Sequence, residues 1–389
     1  MNGEFALRGT LVDAGREIRD GLVVVGAGKI RYAGPIGEYR QALPQQLTIV
    51  AEGWICPGFV DIHMHGIGGF DTMDGTPDAL KVISRALARH GVTSFLATTM
   101  TAPYGELERV LKNLAAMSRG GLEGAQLAGI HLEGPWINPR CRGAHREADI
   151  VPPSLQDVRR LYEQAEGLIR MVTLAPEQPG ALEAIAWLKD RGVICSCGHS
   201  GASFALIERA VAAGLSHFTH CFNAMTGMHH REPGVVGAAM YHEQLSADLI
   251  ADGIHVHPAV MRILCRVKTA SRLVLISDAM RAATLGEGRY ELGGQEVEVR
   301  NGEARLADGT LAGSLLTLNR AVGNMVTLCG IPLADAVRMA AQTPAEILGL
   351  GGKKGRLAAG WDADLIVLGP RFEIVRTYVA GKEVFRANR

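Results

Sequence analysis

Apolar residues recur along most of this chain in two alternating patterns. Short, nearly continuous apolar runs read as buried strands: Phe59-Val60-Asp61-Ile62, Ser94-Phe95-Leu96-Ala97, Leu127-Ala128-Gly129-Ile130, Arg170-Met171-Val172-Thr173-Leu174, Val193-Ile194-Cys195-Ser196, Ser216-His217-Phe218-Thr219, Ala247-Asp248-Leu249-Ile250 and Leu273-Val274-Leu275-Ile276. Between them lie longer stretches with helical spacing, such as 77–90, 104–118, 180–191, 203–213 and 258–268. Strands that alternate with helices imply βα units and a mainly parallel sheet. Eight such strands over about 220 residues match the count and scale of a (β/α)8 barrel. A doubly wound open sheet is the alternative, but no dinucleotide-binding glycine fingerprint follows the first run.

The two ends of the chain have another texture. Leu22-Val23-Val24-Val25, the turn Gly26-Ala27-Gly28 and Lys29-Ile30-Arg31-Tyr32-Ala33 read as short strands. So do Asp364-Leu365-Ile366-Val367-Leu368, Ile374-Val375-Arg376-Thr377-Tyr378-Val379 and Lys382-Glu383-Val384-Phe385. The expectation is a small β-sandwich domain built from both termini, 1–56 and 355–389, around a barrel at 57–354.

Composition narrows the partners. Across 389 residues, 40 Lys and Arg balance 40 Asp and Glu, which excludes the basic footprint of a nucleic-acid or anionic-membrane binder. Any phosphate site must be local. No run approaches the ~18 apolar residues of a membrane span, and Met1-Asn2-Gly3-Glu4-Phe5 lacks a signal peptide's basic and apolar regions. With an odd count of seven cysteines, a reducing cytoplasm is expected.

Thirteen histidines are the unusual entry in the composition, and their positions are informative. In a (β/α)8 barrel the chemistry sits at the carboxyl ends of the strands. Strand one ends in Asp61-Ile62-His63-Met64-His65, strand three in His131-Leu132-Glu133-Gly134-Pro135, strand five in Gly198-His199-Ser200 and strand six in His220-Cys221-Phe222-Asn223-Ala224-Met225. Strand seven ends in Ala251-Asp252-Gly253-Ile254-His255 and strand eight in Ser277-Asp278-Ala279. Glu133, His199 and His220 form a His2Glu set, the kind that leaves an open position for water on a catalytic divalent ion. His63 and His65, two apart on an extended segment, leave the same face and add a second, bridged site. Asp278 is placed to serve as base and then acid in amide hydrolysis. Arg231, in a turn-rich loop, suits a substrate carboxylate or phosphate. Gly309-Thr310-Leu311-Ala312-Gly313-Ser314 reads as a ligand-facing loop or as an N-cap loop, with Ser314 capping a helix at Leu315. Cys195 and Cys197 lack a second cysteine pair to complete a cage and read as core; Cys141 reads as a loop thiol near the rim.

Taken together these motifs resemble the N-acetylglucosamine-6-phosphate deacetylases of the amidohydrolase superfamily. They include Pro57-Gly58-Phe59-Val60-Asp61, His131-Leu132-Glu133-Gly134-Pro135-Trp136, Val172-Thr173-Leu174-Ala175-Pro176-Glu177, Arg231-Glu232-Pro233-Gly234 and Leu311-Ala312-Gly313-Ser314. The resemblance implies that Glu133, His199 and His220 hold the divalent ion, usually zinc or iron, and that Asp278 is the acid and base. It further implies that His255 and Arg231 meet the sugar phosphate, partly across a homodimer. Ala144, His145, Asn223, Ala224, Leu311, Ala312 and Gly313 would line the sugar pocket. Because His63 and His65 are present, one or two ions per subunit are open to it. Strand four ends in Ala175-Pro176-Glu177 without a bridging lysine, which disfavours a cyclic amidase. The expected reaction is deacetylation of N-acetyl-D-glucosamine 6-phosphate. Its rivals are the galacto epimer, an N-acyl amino acid, and a non-catalytic sugar-phosphate-binding regulator.

Overall fold

The structure is a computed structural model that describes residues 3–13 and 15–388. Met1, Asn2, Ala14 and Arg389, which belong to the terminal-domain reading and the leader reading, lie outside the described residues.

Eight parallel strands form one sheet in sequential order: β1 (Phe59–Asp61), β2 (Val92–Thr98), β3 (Gln126–Glu133), β4 (Ile169–Leu174), β5 (Ile194–Cys197), β6 (Leu215–Phe218), β7 (Ser246–Ile250) and β8 (Leu273–Ile276). The sheet closes just beyond the ends of β1 and β8. Asp278 N–H donates to the His63 carbonyl at 2.9 Å, and His65 N–H to the Ala279 carbonyl at 2.8 Å. Helices follow the first seven strands in turn: Pro77–Arg89, Tyr104–Ser118, Leu155–Gln164, Ala181–Lys189, Phe204–Ala213, Gly234–Tyr241 and Pro258–Lys268. Their starts are chemically marked, since Thr76, Ser154 and Ser203 each accept a backbone N–H three residues on and so satisfy an otherwise orphaned donor. Strands such as β2 and β8 are buried along their whole length, which is why they read as apolar runs and not as alternating ones.

The terminal strands Phe5–Asp13, Arg16–Gly26, Lys29–Pro35, Gln46–Pro57, Leu365–Leu368, Ile374–Val379 and Lys382–Arg386 are hydrogen-bonded into one seven-stranded sheet. Gln46–Pro57 joins the two chain ends, running parallel to Phe5–Asp13 and antiparallel to Leu365–Leu368. The expected sandwich is thus realised as a single sheet. Leu7, Val23, Val25, Ile30, Ile55, Leu365, Val367 and Tyr378 form a core drawn from that sheet's own strands. The edge at Lys29–Pro35 is met by the segment 360–363, where Ile30 N–H donates to the Trp361 carbonyl and Ala363 N–H to the Gly28 carbonyl. Wrapping in this way leaves the edge paired.

A second element was not anticipated. Gly288–Leu292, Gln295–Arg300 and Glu303–Arg305 form an antiparallel three-stranded insert after β8. Leu292, Val297, Val299 and Ala304 of the insert pack with Met100, Ala144, Met280 and Ala312 in a separate apolar cluster over the carboxyl-end rim.

The barrel and the terminal sheet are tied by Lys354. Its ammonium lies 2.5 Å from Asp364 and 3.3 Å from Asp362, and donates to Gln126 at the start of β3 at 2.9 Å. Burial pushes the Asp364 carboxyl above its ordinary value, with Lys354 opposing. A carboxyl raised in the fold lowers stability as pH climbs past its unfolded value, so removing the cation enlarges that loss. Lys354→Met is therefore expected to cost about 3 kcal/mol near neutral pH, in line with breaking a buried pair, and distinctly less at pH 4. Melting curves at the two pH values check it; an equal cost at both would assign the loss to packing.

Candidate active site

The strand ends carry the site because the chain turns sharply just past them. His199, His220 and Asp278 have φ of 49°, 28° and 48°. Left-handed backbone at three non-glycine residues is strained, and it persists where the surroundings hold it in place. Each turn swings its side chain over the barrel axis, toward Glu133 at the end of β3.

Glu133 is buried, and imidazoles face both of its oxygens. Oε1 lies 3.3 Å from Nε2 of His199 and 3.3 Å from Nε2 of His220. Oε2 lies 3.2 Å from Nε2 of His65 and 3.5 Å from Nε2 of His63. Those two histidines also approach Asp278 Oδ1, at 3.3 and 3.4 Å. The two imidazole nitrogens of His199 and His220 are themselves only 3.1 Å apart. Tetrahedral ligation at ~2.0–2.1 Å separates neighbouring ligand atoms by about 3.3 Å, so the donor set fits a divalent ion. Tautomers agree. His199 Nδ1 donates to the Cys141 carbonyl at 2.9 Å, which leaves the Nε2 lone pair facing the cluster. Nε2 of His63 is buried without a hydrogen-bond partner, as a nitrogen kept for an ion would be.

Burial works to raise the Glu133 carboxyl, but His63 and the surrounding imidazoles of His145, His199 and His220 hold it well below the usual range. Asp278 is held low in the same way by His63 and His65. Burial lowers His65, yet Asp278 and Glu133 together carry it well above its ordinary value.

Beneath the cluster runs a line of hydroxyls. His131 Nδ1 donates to the Ile62 carbonyl, so Nε2 accepts from Thr173 at 2.7 Å; Thr173 accepts from Thr219 at 2.7 Å, and Thr219 from Ser196 at 2.5 Å. His217, on β6, is buried between Ser246 at 2.6 Å and Asp248 at 2.7 Å. Glu177, just past β4, binds Ser200 Oγ at 2.7 Å, Asn138 Nδ2 at 2.7 Å and Gly201 N–H at 2.5 Å. It steadies the turn after His199.

Above the cluster opens a cavity of about 630 Å³, within the range of small-ligand sites. Of the sugar-pocket residues, Ala144, His145, Asn223, Ala224, Leu311 and Gly313 line it, as does the phosphate residue His255, together with His65, Glu133, His199, His220 and Asp278. Ala312 is fully buried between Leu311 and Gly313, and His63 is fully buried beside the cluster. Arg231 is not brought there. It is exposed, on a loop where its Nη1 meets His230 Nε2 at 2.7 Å. Ser314 is not a helix N-cap, since the next helix is Leu318–Thr327. Instead Ser314 Oγ donates to the Ser277 carbonyl at 2.6 Å and its N–H to the Asp278 carbonyl at 2.7 Å, which fastens the 311–313 loop to the end of β8. Cys195 and Cys197 are buried, and burial pushes both thiols well above their ordinary value, far from the thiolate a cage needs. Cys141 lines the cavity.

Sequence reasoning missed Arg140, Arg142 and Arg305, which line the mouth. It also missed Gln295, whose amide donates to the Ala144 carbonyl at 2.6 Å. A signal for the insert was present: Gln295-Glu296-Val297-Glu298-Val299-Arg300 alternates, and Gly293-Gly294 and Asn301-Gly302 are hairpin turns.

A model of the amidohydrolase family matches residues 54–384. The chain is 39% identical over 378 residues to an N-acetylglucosamine-6-phosphate deacetylase of Bacillus subtilis, covering 96% of this chain and 95% of that one. It is 40% identical over 354 residues to an N-acetylgalactosamine-6-phosphate deacetylase of Escherichia coli O157:H7, covering 91% and 94%. A solved structure of the N-acetyl-D-glucosamine-6-phosphate deacetylase of Mycobacterium smegmatis, an Asp-to-Ala variant in complex with N-acetyl-D-glucosamine-6-phosphate, superposes with a TM-score of 0.93. It has 34% identity over 98% of this chain and 99% of that one.

Metal analysis after dialysis tests the ligand geometry. Glu133→Gln is expected to lower the retained divalent ion by at least ~10-fold, because both histidine pairs share that carboxylate. His65→Ala is expected to release only the ion on the His63 side. Undiminished metal in Glu133→Gln would remove this carboxylate from the ligand set.

Proposed function

The chain belongs to the amidohydrolase family, and from that premise we propose that it hydrolyses the acetamide of N-acetyl-D-glucosamine 6-phosphate to acetate and D-glucosamine 6-phosphate. The observation that carries this reading is the cavity itself, with the Glu133 cluster and Asp278 at its base and cationic side chains at its mouth. Zinc or iron suits the His-rich donor set, and the two faces of Glu133 support two ions per chain.

A bound divalent ion supplies Lewis-acid polarisation and lowers the pKa of water. The protein's own groups do the rest. Asp278, an ionised carboxylate at the cavity floor, takes the proton of the attacking water and returns it to the amine nitrogen as the C–N bond breaks. His145 Nδ1 accepts the Thr101 N–H at 3.2 Å, so its proton sits on Nε2, which lies 3.6 Å from Glu133 Oε2. Burial above all pushes His145 down to about 4, so it acts as a neutral hydrogen-bond donor. In this reading that N–H stabilises the amide oxygen as it gains charge. His255, its Nδ1 held by Asp252 at 2.6 Å, offers Nε2 to the phosphate. Burial lowers His255, but Asp252 raises it above its ordinary value overall, which favours the cationic form an anion requires.

In this reading 1–56 and 355–389 form the small domain, the enzyme acts in the cytoplasm, and it works as a homodimer. Met228 and Tyr241, 65% and 68% exposed near Arg231, support burial of that loop against a second copy. The identity to the galacto-specific relative supports a second reading, in which the 4-epimer is the substrate.

Acetate release from both epimers, with metal measured on the same sample, tests these readings. The gluco epimer is expected to show the higher kcat/KM. Asp278→Asn is expected to lose about 10³-fold in kcat with metal retained. Preference for the galacto epimer would establish the second reading, and no acetate from either would end both.

A further inference from the structure

This inference rests on the reading of the substrate as a sugar phosphate. A phosphate monoester carries close to two negative charges at neutral pH and is best met by guanidinium groups. Arg231, the loop arginine suited to that task, lies outside the cavity of its own chain. The guanidinium groups that line the cavity are those of Arg140, Arg142 and Arg305. They differ in how they are held. Arg140 is exposed on a short turn, and Arg142 is paired with Glu147 at 3.3 Å.

Arg305 is the last residue of the insert's third strand. Its Nε donates to Glu303 at 2.7 Å and its Nη1 to the Gly309 carbonyl at 2.6 Å. Among the described residues Nη2 has no protein partner. Two tethers fix the plane of the guanidinium in advance, so little side-chain entropy remains to be lost on binding. Arg305 and His255 are close enough for the Arg305 charge to oppose protonation of His255, alongside burial and against Asp252 and Asp278. They come from separate elements, the insert and the loop after β7, and both line the same cavity.

We infer that Arg305 is a phosphate-binding and specificity-determining residue, whose free guanidinium edge closes with His255 on the 6-phosphate and so selects phosphorylated over unphosphorylated N-acetylhexosamines. Such a contact supplies binding energy remote from the amide and positions the carbonyl over the Glu133 cluster. The bland alternative is a surface ion pair with Glu303 that only steadies the turn at 306–309, which is worth little.

Steady-state kinetics on N-acetyl-D-glucosamine 6-phosphate and on N-acetyl-D-glucosamine separate the two. Arg305→Met is expected to raise KM for the phosphorylated sugar by about 10- to 100-fold with kcat changed less than ~3-fold, and to lower the preference ratio between the substrates by at least ~10-fold. Inhibition by inorganic phosphate is expected to weaken in parallel. Arg305→Lys, which keeps the charge, should restore part of the loss and carries the test if Arg305→Met does not fold. An unchanged KM, or an equal fall in kcat/KM for both sugars, would overturn the assignment. If wild-type protein does not prefer the phosphorylated sugar, the substrate reading itself fails, and that measurement comes before any variant.

Discussion

A buried carboxylate between four imidazoles is the constraint around which this molecule is arranged. Glu133 is almost fully buried, and an isolated charge in that position is prohibitively costly. It is tolerated because His199 and His220 approach one oxygen, and His63 and His65 the other, all within 3.5 Å. These partners come from the ends of β1, β5 and β6, and Asp278 joins from beyond β8. The barrel is therefore the means by which residues far apart in sequence reach one carboxylate, and the strained backbone at His199, His220 and Asp278 is a local cost of getting them there.

The polar layers beneath and around the cluster serve the same end. The His131 to Ser196 line has a single direction of donation, because the Ile62 carbonyl fixes the His131 tautomer at one end. Cys141 fixes His199, and Thr101 fixes His145 in the opposite sense. One imidazole thus presents a lone pair and its neighbour a proton, although their rings lie 4.5 Å apart. Backbone groups make the distinction, and side-chain identity alone would not reveal it.

Much of this was legible in the sequence, and what escaped has physical reasons. Strand positions could be read to within three residues because β1–β8 are largely buried on both sides and so stand out as apolar runs. Glu133, His199, His220 and Asp278 could be named because a charged or imidazole side chain directly after such a run has little structural reason to be there. The terminal sheet showed its strands but not the pairing of its edge, where the 360–363 segment meets strand residues far away in sequence. The insert went unread because its strands are short and mostly polar on one face, with only Leu292, Val297, Val299 and Ala304 to mark the other. Arg305 shared that fate, since an arginine beside a glutamate looks like any solvated pair until its strand is placed over the rim. Arg231 shows the converse, a loop arginine suited to an anion that a single chain leaves exposed.

The seam between the first and eighth strands carries one more consequence. The amide of Asp278 binds the carbonyl of His63, and the amide of His65 binds the carbonyl of Ala279. The bonds that complete the cylinder thus belong to the residues that gather around Glu133. Opening the cylinder there disperses the donor set, and an ion held by that set resists the opening. Folding and ligation share one equilibrium at this seam, so an ion present at a hundred times its dissociation constant adds about 2.7 kcal/mol to closure. The chain's resistance to unzipping is then a property of its surroundings as much as of its own packing.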